Sequence, residues 1–252
     1  MKSVLILRKE LQGYFTSPMF YLLAFVFTAF LSARFLPSIF TFAQKSSVPA
    51  AMGGGGNIHM SVFMVHLNLV YLVMLFLTPL ITMKLFSEEK KEKTMDLLLT
   101  APVSSTEIVL GKFLASWVVV SLLLLLALVY PLSIGLVASF DYGPLAGSYL
   151  GMFLMLGVNC AIGLFASSLT ASGIMAAFLG VLMILGVMLA GSLSGSITHP
   201  FWSSLVEQLS MVLHIQDFFN GTIETSGVLF FVSTICIFCF LTQRVVESSR
   251  WR

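Results

Sequence analysis

Residues able to do chemistry are few in this chain, and most of them stand together. The densest group is Ser87-Glu88-Glu89-Lys90-Lys91-Glu92-Lys93-Thr94-Met95-Asp96, followed at once by Leu97-Leu98-Leu99. Its order predicts a short amphipathic helix over 87–99. Ser87 is placed to cap it, and Glu88 and Glu89 fall in the first turn, where the helix dipole favours acids. Glu89 and Lys93 have the favourable i,i+4 orientation for an ion pair. Pro102 breaks this helix, and Ser104-x-x-Glu107 spells a capping box that starts the next one. Such a run can be a solvated loop that anchors topology. A defined start, a defined stop and an apolar Leu97-Leu98-Leu99 edge favour a docking element for another protein.

The remaining reactive side chains point to no catalysis. His66 as a proton relay needs a carboxylate partner, and no carboxylate falls within an apolar stretch. Ser192, Ser194 and Ser196 near His199 carry neither a G-x-S-x-G nor a G-x-S-G spelling. Cys236-x-x-Cys239 has the spacing of a redox pair but lies in an apolar run, away from the electropositive, partly exposed setting that activates a thiolate. Cys160 reads as packing. Gly53 to Gly56 is not followed by the Lys and Ser or Thr of a phosphate-binding loop. Neither a metal set nor an active site is expected.

The elements that hold these residues follow from composition. Of 252 residues, 58% are hydrophobic and 10% charged, with a mean hydropathy of +1.00. Soluble domains carry about 25% charged residues, so a soluble globule, a nucleic-acid binder and a disordered tail are excluded. Stretches without Asp, Glu, Lys or Arg cover 11–33, 46–83, 113–140, 142–206 and 225–243. A span needs about 20 apolar residues, and the longest stretch has room for two. The prediction is an all-α integral membrane protein with six transmembrane helices, about 18–36, 61–83, 107–137, 147–167, 172–192 and 226–243, forming one domain over 1–252. Eleven of the 13 basic residues then fall on one side, all but Arg34 and Lys45. Basic residues mark the cytoplasm, which predicts cytoplasmic termini and a cytoplasmic 84–112 segment.

Around the spans, finer features are predicted. Val4, Leu7, Leu11, Tyr14 and Phe15 share an arc of a helical wheel, as in an N-terminal helix lying on the inner membrane surface; an ordinary lead-in to span one is the alternative. Pro37 is expected to end span one, and 38–60 to form an outer loop. Small residues at four-residue spacing (Gly147/Gly151, Gly157/Ala161, Gly163/Ser167, Gly173/Ala177) allow close helix approach, within one chain or across a dimer seam. The segment 193–225 is too polar to span and too apolar for plain loop, and predicts short helices in the outer leaflet with Trp202 near the headgroups.

The stretch from Phe86 to Ala115 resembles the coupling-helix region of type-2 ABC transporter permeases. The acidic pair Glu88-Glu89, Thr94, the Leu run, Pro102 and Gly111-Lys112 recur there in this order. The stretch Ser210 to Ile223 resembles the outer segment of the permease subgroup that includes gliding-motility-associated and nitrous-oxide-reductase maturation permeases. The resemblance implies a multi-pass transmembrane subunit in the cytoplasmic membrane of a bacterium, paired with a second copy or a similar permease and bound to two copies of a cytoplasmic ABC ATPase. It implies export or force transduction. No cofactor would bind this chain, since ATP and Mg belong to the ATPase. ATPase docking would fall to Glu88, Glu89, Lys93, Thr94 and Leu97 to Leu99, with the N-terminal helix as second contact. Phe27, Phe30 and Phe76 would be pathway gates between protomers. Trp202, His214, Asp217 and Phe218 would form an outer surface for a membrane-anchored extracytoplasmic subunit. The rival reading is a passive channel or a structural membrane subunit of a larger complex.

Overall fold

A computed structural model describes residues 2–47, 57–95, 103–136, 138–190, 199 and 210–249. Among the described residues stand nine α-helices: α1 (Lys2–Thr16), α2 (Pro18–Ser46), α3 (Met64–Thr82), α4 (Lys84–Lys91), α5 (Ser105–Ile134), α6 (Tyr142–Leu169), α7 (Gly173–Ala190), α8 (Met211–Phe219) and α9 (Thr225–Ser248). A single π-helical turn, His59–Phe63, leads into α3. Five continuous helical stretches are long and apolar enough to cross a membrane: α2, the run His59–Lys91, α5, α6 and α9. The fifth predicted span exists as the apolar helix α7, described up to Ala190.

The bundle is built around α6, which packs against α3, α4, α5, α7, α8 and α9. Its small residues explain this position, since each admits a neighbour from the same chain. Phe218 lies over Gly151, Trp117 and Ile235 close on Gly157, and Thr82 sits against Gly163. Close approach replaces the hydrophobic drive that lipid cannot supply. In α6, therefore, the small-residue row packs the chain's own interior.

Two boundaries differ from the sequence reading. Pro37 lies inside α2, which continues to Ser46. A proline inside a helix removes one backbone hydrogen bond and crowds the carbonyl four residues earlier; α2 accommodates it, and Thr41 Oγ1 donates to Pro37 O at 2.8 Å in the following turn. The predicted 38–60 loop is accordingly helical at both ends, while Gly53 to Gly56 lies outside the described residues. The second difference concerns the charged helix. It spans Lys84–Lys91, not 87–99, and continues α3 across a single residue, Met83, whose φ of −56° and ψ of −30° are themselves helical. Ser87 is therefore interior and buried, its hydroxyl donating back to Met83 O, and it caps nothing. Glu88 and Glu89 stand in the second turn.

The end of α4 is a Schellman motif. Thr94 N–H donates to Glu89 O at 3.0 Å and Lys93 N–H to Lys90 O at 3.4 Å, while Lys93 takes a φ of 56°. The capping box at the head of α5 forms as predicted: Ser104 Oγ accepts from Glu107 N–H at 3.2 Å, and the Glu107 carboxylate accepts from Ser104 N–H at 3.1 Å.

At the opposite end, α8 carries Ser210 as its N-cap and turns back at Gly221, whose φ of 84° only glycine tolerates well. The position is doubly constrained, because a Cβ there would lie 2.8 Å from Pro144 Cα. His59 Nε2 donates to Phe219 O at 2.8 Å, which ties the start of the α3 helix to this cap.

Candidate functional site: a braced charged helix

Two turns into α5, past Gly111, an ammonium group is buried where the sequence offers nothing else charged until Asp141. Lys112 is 1% exposed. Its Nζ donates to Glu10 Oε1 of α1 at 2.8 Å, to Glu89 Oε1 of α4 at 2.8 Å and to Leu85 O at 2.6 Å. All three protons are used, and the Phe86 ring closes the site from 5.2 Å. Two carboxylates surround one cation, and Glu89 Oε2 is buried without a hydrogen-bond partner.

Gly111 is what lets α1 reach this cation. A Cβ there would stand 2.9 Å from both Ile6 Cβ and Ser3 O, so α1 lies directly on α5. The packed face of α1 is Ile6, Leu7, Glu10, Leu11 and Tyr14, while Val4 and Phe15, expected on the same face, are exposed. The reason is the polar anchor: Glu10 must turn toward Lys112, and the apolar arc rotates with it. Tyr14 adds a second tie by donating to Ile81 O at 2.8 Å. Burial, together with the nearby Glu10 carboxylate, holds its phenol well above the usual value, so the hydroxyl remains a donor.

A third brace fixes the other flank of α4. Lys90 Nζ donates to Ser168 O, in the last turn of α6, where carbonyls lack intrahelical partners and a cation is favoured. The helix is thus joined to α3 through Met83, to α5 and α1 through Glu89, and to α6 through Lys90.

Glu88 is left facing outward. It is half-exposed, paired with Lys84 at 3.9 Å, and it borders three hollows. One of about 220 Å³ lies beneath the α1–α2 elbow, one of about 660 Å³ between α1 and α4, and one of about 700 Å³ between α4 and the start of α7. Lys91, Glu92 and Lys93 are exposed beside it, and Thr94 is half-buried. Leu97, Leu98 and Leu99 lie outside the described residues. The expected Glu89–Lys93 pair does not form, because Glu89 turns inward to Lys112 and the Schellman turn carries Lys93 away.

The remaining candidates are dispersed. Phe27 is buried in the chain's own core, whereas Phe30 and Phe76 are half-exposed on its outer surface. Phe218, expected on an outer surface, is fully buried over Gly151 and Gly227. The His214 ring lies 4.7 Å from that of Phe230, tilted by 33°, Asp217 is partly exposed, and Trp202 lies outside the described residues. His66 is structural: its Nε2 donates to Ala127 O at 3.1 Å, between the rings of Phe35 and Tyr130. Lys112 and Glu10 are residues of this cluster that local spacing did not single out. Their signal was present, since a lone cation inside a predicted span is expensive and demands a partner.

A multi-helix membrane protein with a braced charged helix at one end is the class these features define. Residues 4–245 match the family described as ABC-2 family transporter protein, and the chain belongs to that family. Its members are typically non-catalytic membrane subunits that work with an ABC ATPase. No curated protein matches the chain.

Proposed function

We propose that this chain is the transmembrane subunit of an ATP-driven type-2 ABC transporter, with six spans, cytoplasmic termini and α4 as the element that receives a separate cytoplasmic ATPase. The observation that carries this reading is the outward-facing Glu88 on a helix braced to four others and flanked by hollows on both sides. A helix so held cannot move alone. Because α4 continues α3 through a helical Met83, a push on α4 is delivered directly to the second span.

The ATPase supplies the chemistry and this chain the path. Closure of two ATPase subunits displaces two copies of α4, and the attached spans open a route between two permease copies. Phe30 and Phe76 present aromatic surface toward that second copy. Substrate export or transmission of force to an outer partner fits this arrangement, with His214 and Asp217 nearest to such a partner.

Replacing Glu88 with Ala tests the docking. The side chain is solvent-exposed, so stability should change by no more than about 0.5 kcal/mol, while stimulation of the bound ATPase falls. Unchanged stimulation with the ATPase still attached would reduce α4 to a topology anchor.

A further inference from the structure

We infer that Lys112 is a positioning residue that clamps α1 to α4, so that the two surface helices reach the ATPase as one rigid jaw. This rests on the docking reading above for its consequence, though the clamp itself stands on geometry alone.

A buried ammonium with one carboxylate needs no second. Here Glu10 and Glu89 arrive from opposite sides of the same Nζ, from helices far apart in the chain, and both at 2.8 Å. Burial makes each bond directional and short, as expected where water cannot compete. The third proton goes to Leu85 O, a backbone acceptor in the first turn of α4. The cation therefore holds α4 by side chain and by backbone, and α1 by side chain. Gly111, one residue earlier, removes the side chain that would keep α1 away. Of the two polar ties of α1, Tyr14 runs to Ile81 O of α3 and Glu10 to the cation that also holds α4. Glu10 is therefore the tie that sets α1 against α4.

Between the clamped helices lies the hollow of about 660 Å³ that Lys9, Glu88 and Glu92 also line. Its width is set by the Glu10–Lys112–Glu89 distance. Loss of the clamp therefore alters the shape of this hollow while the outward-facing Glu88 is left in place.

Spin labels at cysteines replacing Gln12 and Lys91, in a chain whose three native cysteines are Ala, read the α1–α4 distance. A second pair at Lys91 and Leu110 reads α4 against α5. The unmodified clamp should give one narrow α1–α4 distance, alone and in complex with the ATPase. Lys112→Met strands two carboxylates and can block folding, so Glu10→Ala is the deciding variant, since it leaves the bonds of Lys112 to α4 intact. It should broaden the α1–α4 distance, leave α4–α5 unchanged and lower ATPase stimulation by roughly 5- to 150-fold, the range of a coupling between sites. Glu10→Gln, which keeps an acceptor for Lys112, should restore the narrow distance, whereas Glu10→Met, which fills the same space without an acceptor, should not. An α1–α4 distance as narrow in Glu10→Ala as in the parent overturns the clamp. A broadened distance with unaltered stimulation supports the clamp and removes the docking reading beneath it.

Discussion

Gly163 and Lys112 each fix a contact between helices distant in the chain. A Cβ on Gly163 would collide with Thr82 Oγ1, so Gly163→Leu has no space to occupy and must push α3 off α6. Overpacking of this kind costs about 1–3 kcal/mol, and the variant should lose thermal stability in detergent by that order. An unchanged melting temperature would mean that α3 and α6 are not in contact at this level. Spacing rules found the small residues of α6 but not their partners, because a row of glycines specifies closeness and not which helix comes close. The same limit applied to Lys112: its carboxylates lie 102 and 23 residues away, beyond any i,i+4 rule. Phe218 was misplaced for a related reason. Its position on α8 is amphipathic in sequence, yet the glycines at 151 and 227 that receive it come from α6 and α9.

At the scale of elements, α4 departs furthest from its sequence reading. Local capping rules assign Ser87 the start of a helix because they cannot see that the preceding span runs on through Met83. Its end, by contrast, is set by a backbone turn with Lys93 at positive φ. A side chain in that conformation costs about 1–2 kcal/mol, so Lys93→Gly should raise stability by about 1 kcal/mol and keep the Thr94 amide protected from hydrogen exchange. A fall in stability would show that the Lys93 side chain, rather than its backbone, holds the turn. The head of α5 was fully legible, since a capping box is a contact between residues three apart. So was the existence of α8, whose Ser210 accepts from Leu213 N–H at 3.4 Å as a cap should.

For the molecule as a whole, the proposed six-span arrangement rests on the uncharged runs, and its orientation on the distribution of basic residues. Single cysteines replacing Tyr142 and Thr222 in a cysteine-free chain should react with an impermeant thiol reagent outside intact cells, and one replacing Glu92 should not. Labelling at 92 with protection at 142 and 222 would invert the topology. Hydropathy located the apolar helices but not their ends: α2 runs on through Arg34 and Lys45 to Ser46. At about 1.5 Å per residue, its 29 residues reach roughly 43 Å, well beyond a bilayer core of about 30 Å. As a span, α2 leans or emerges, at fractions of a kcal/mol per Å of mismatch. Bilayer thickness then becomes a control variable, and α2, whose Met19, Phe20 and Leu23 border the hollow beneath the α1–α2 elbow, is where it acts. ATPase stimulation in vesicles of increasing acyl length should rise as the lipid approaches the length of α2. A flat profile would mean that the excess length of α2 stands clear of the lipid.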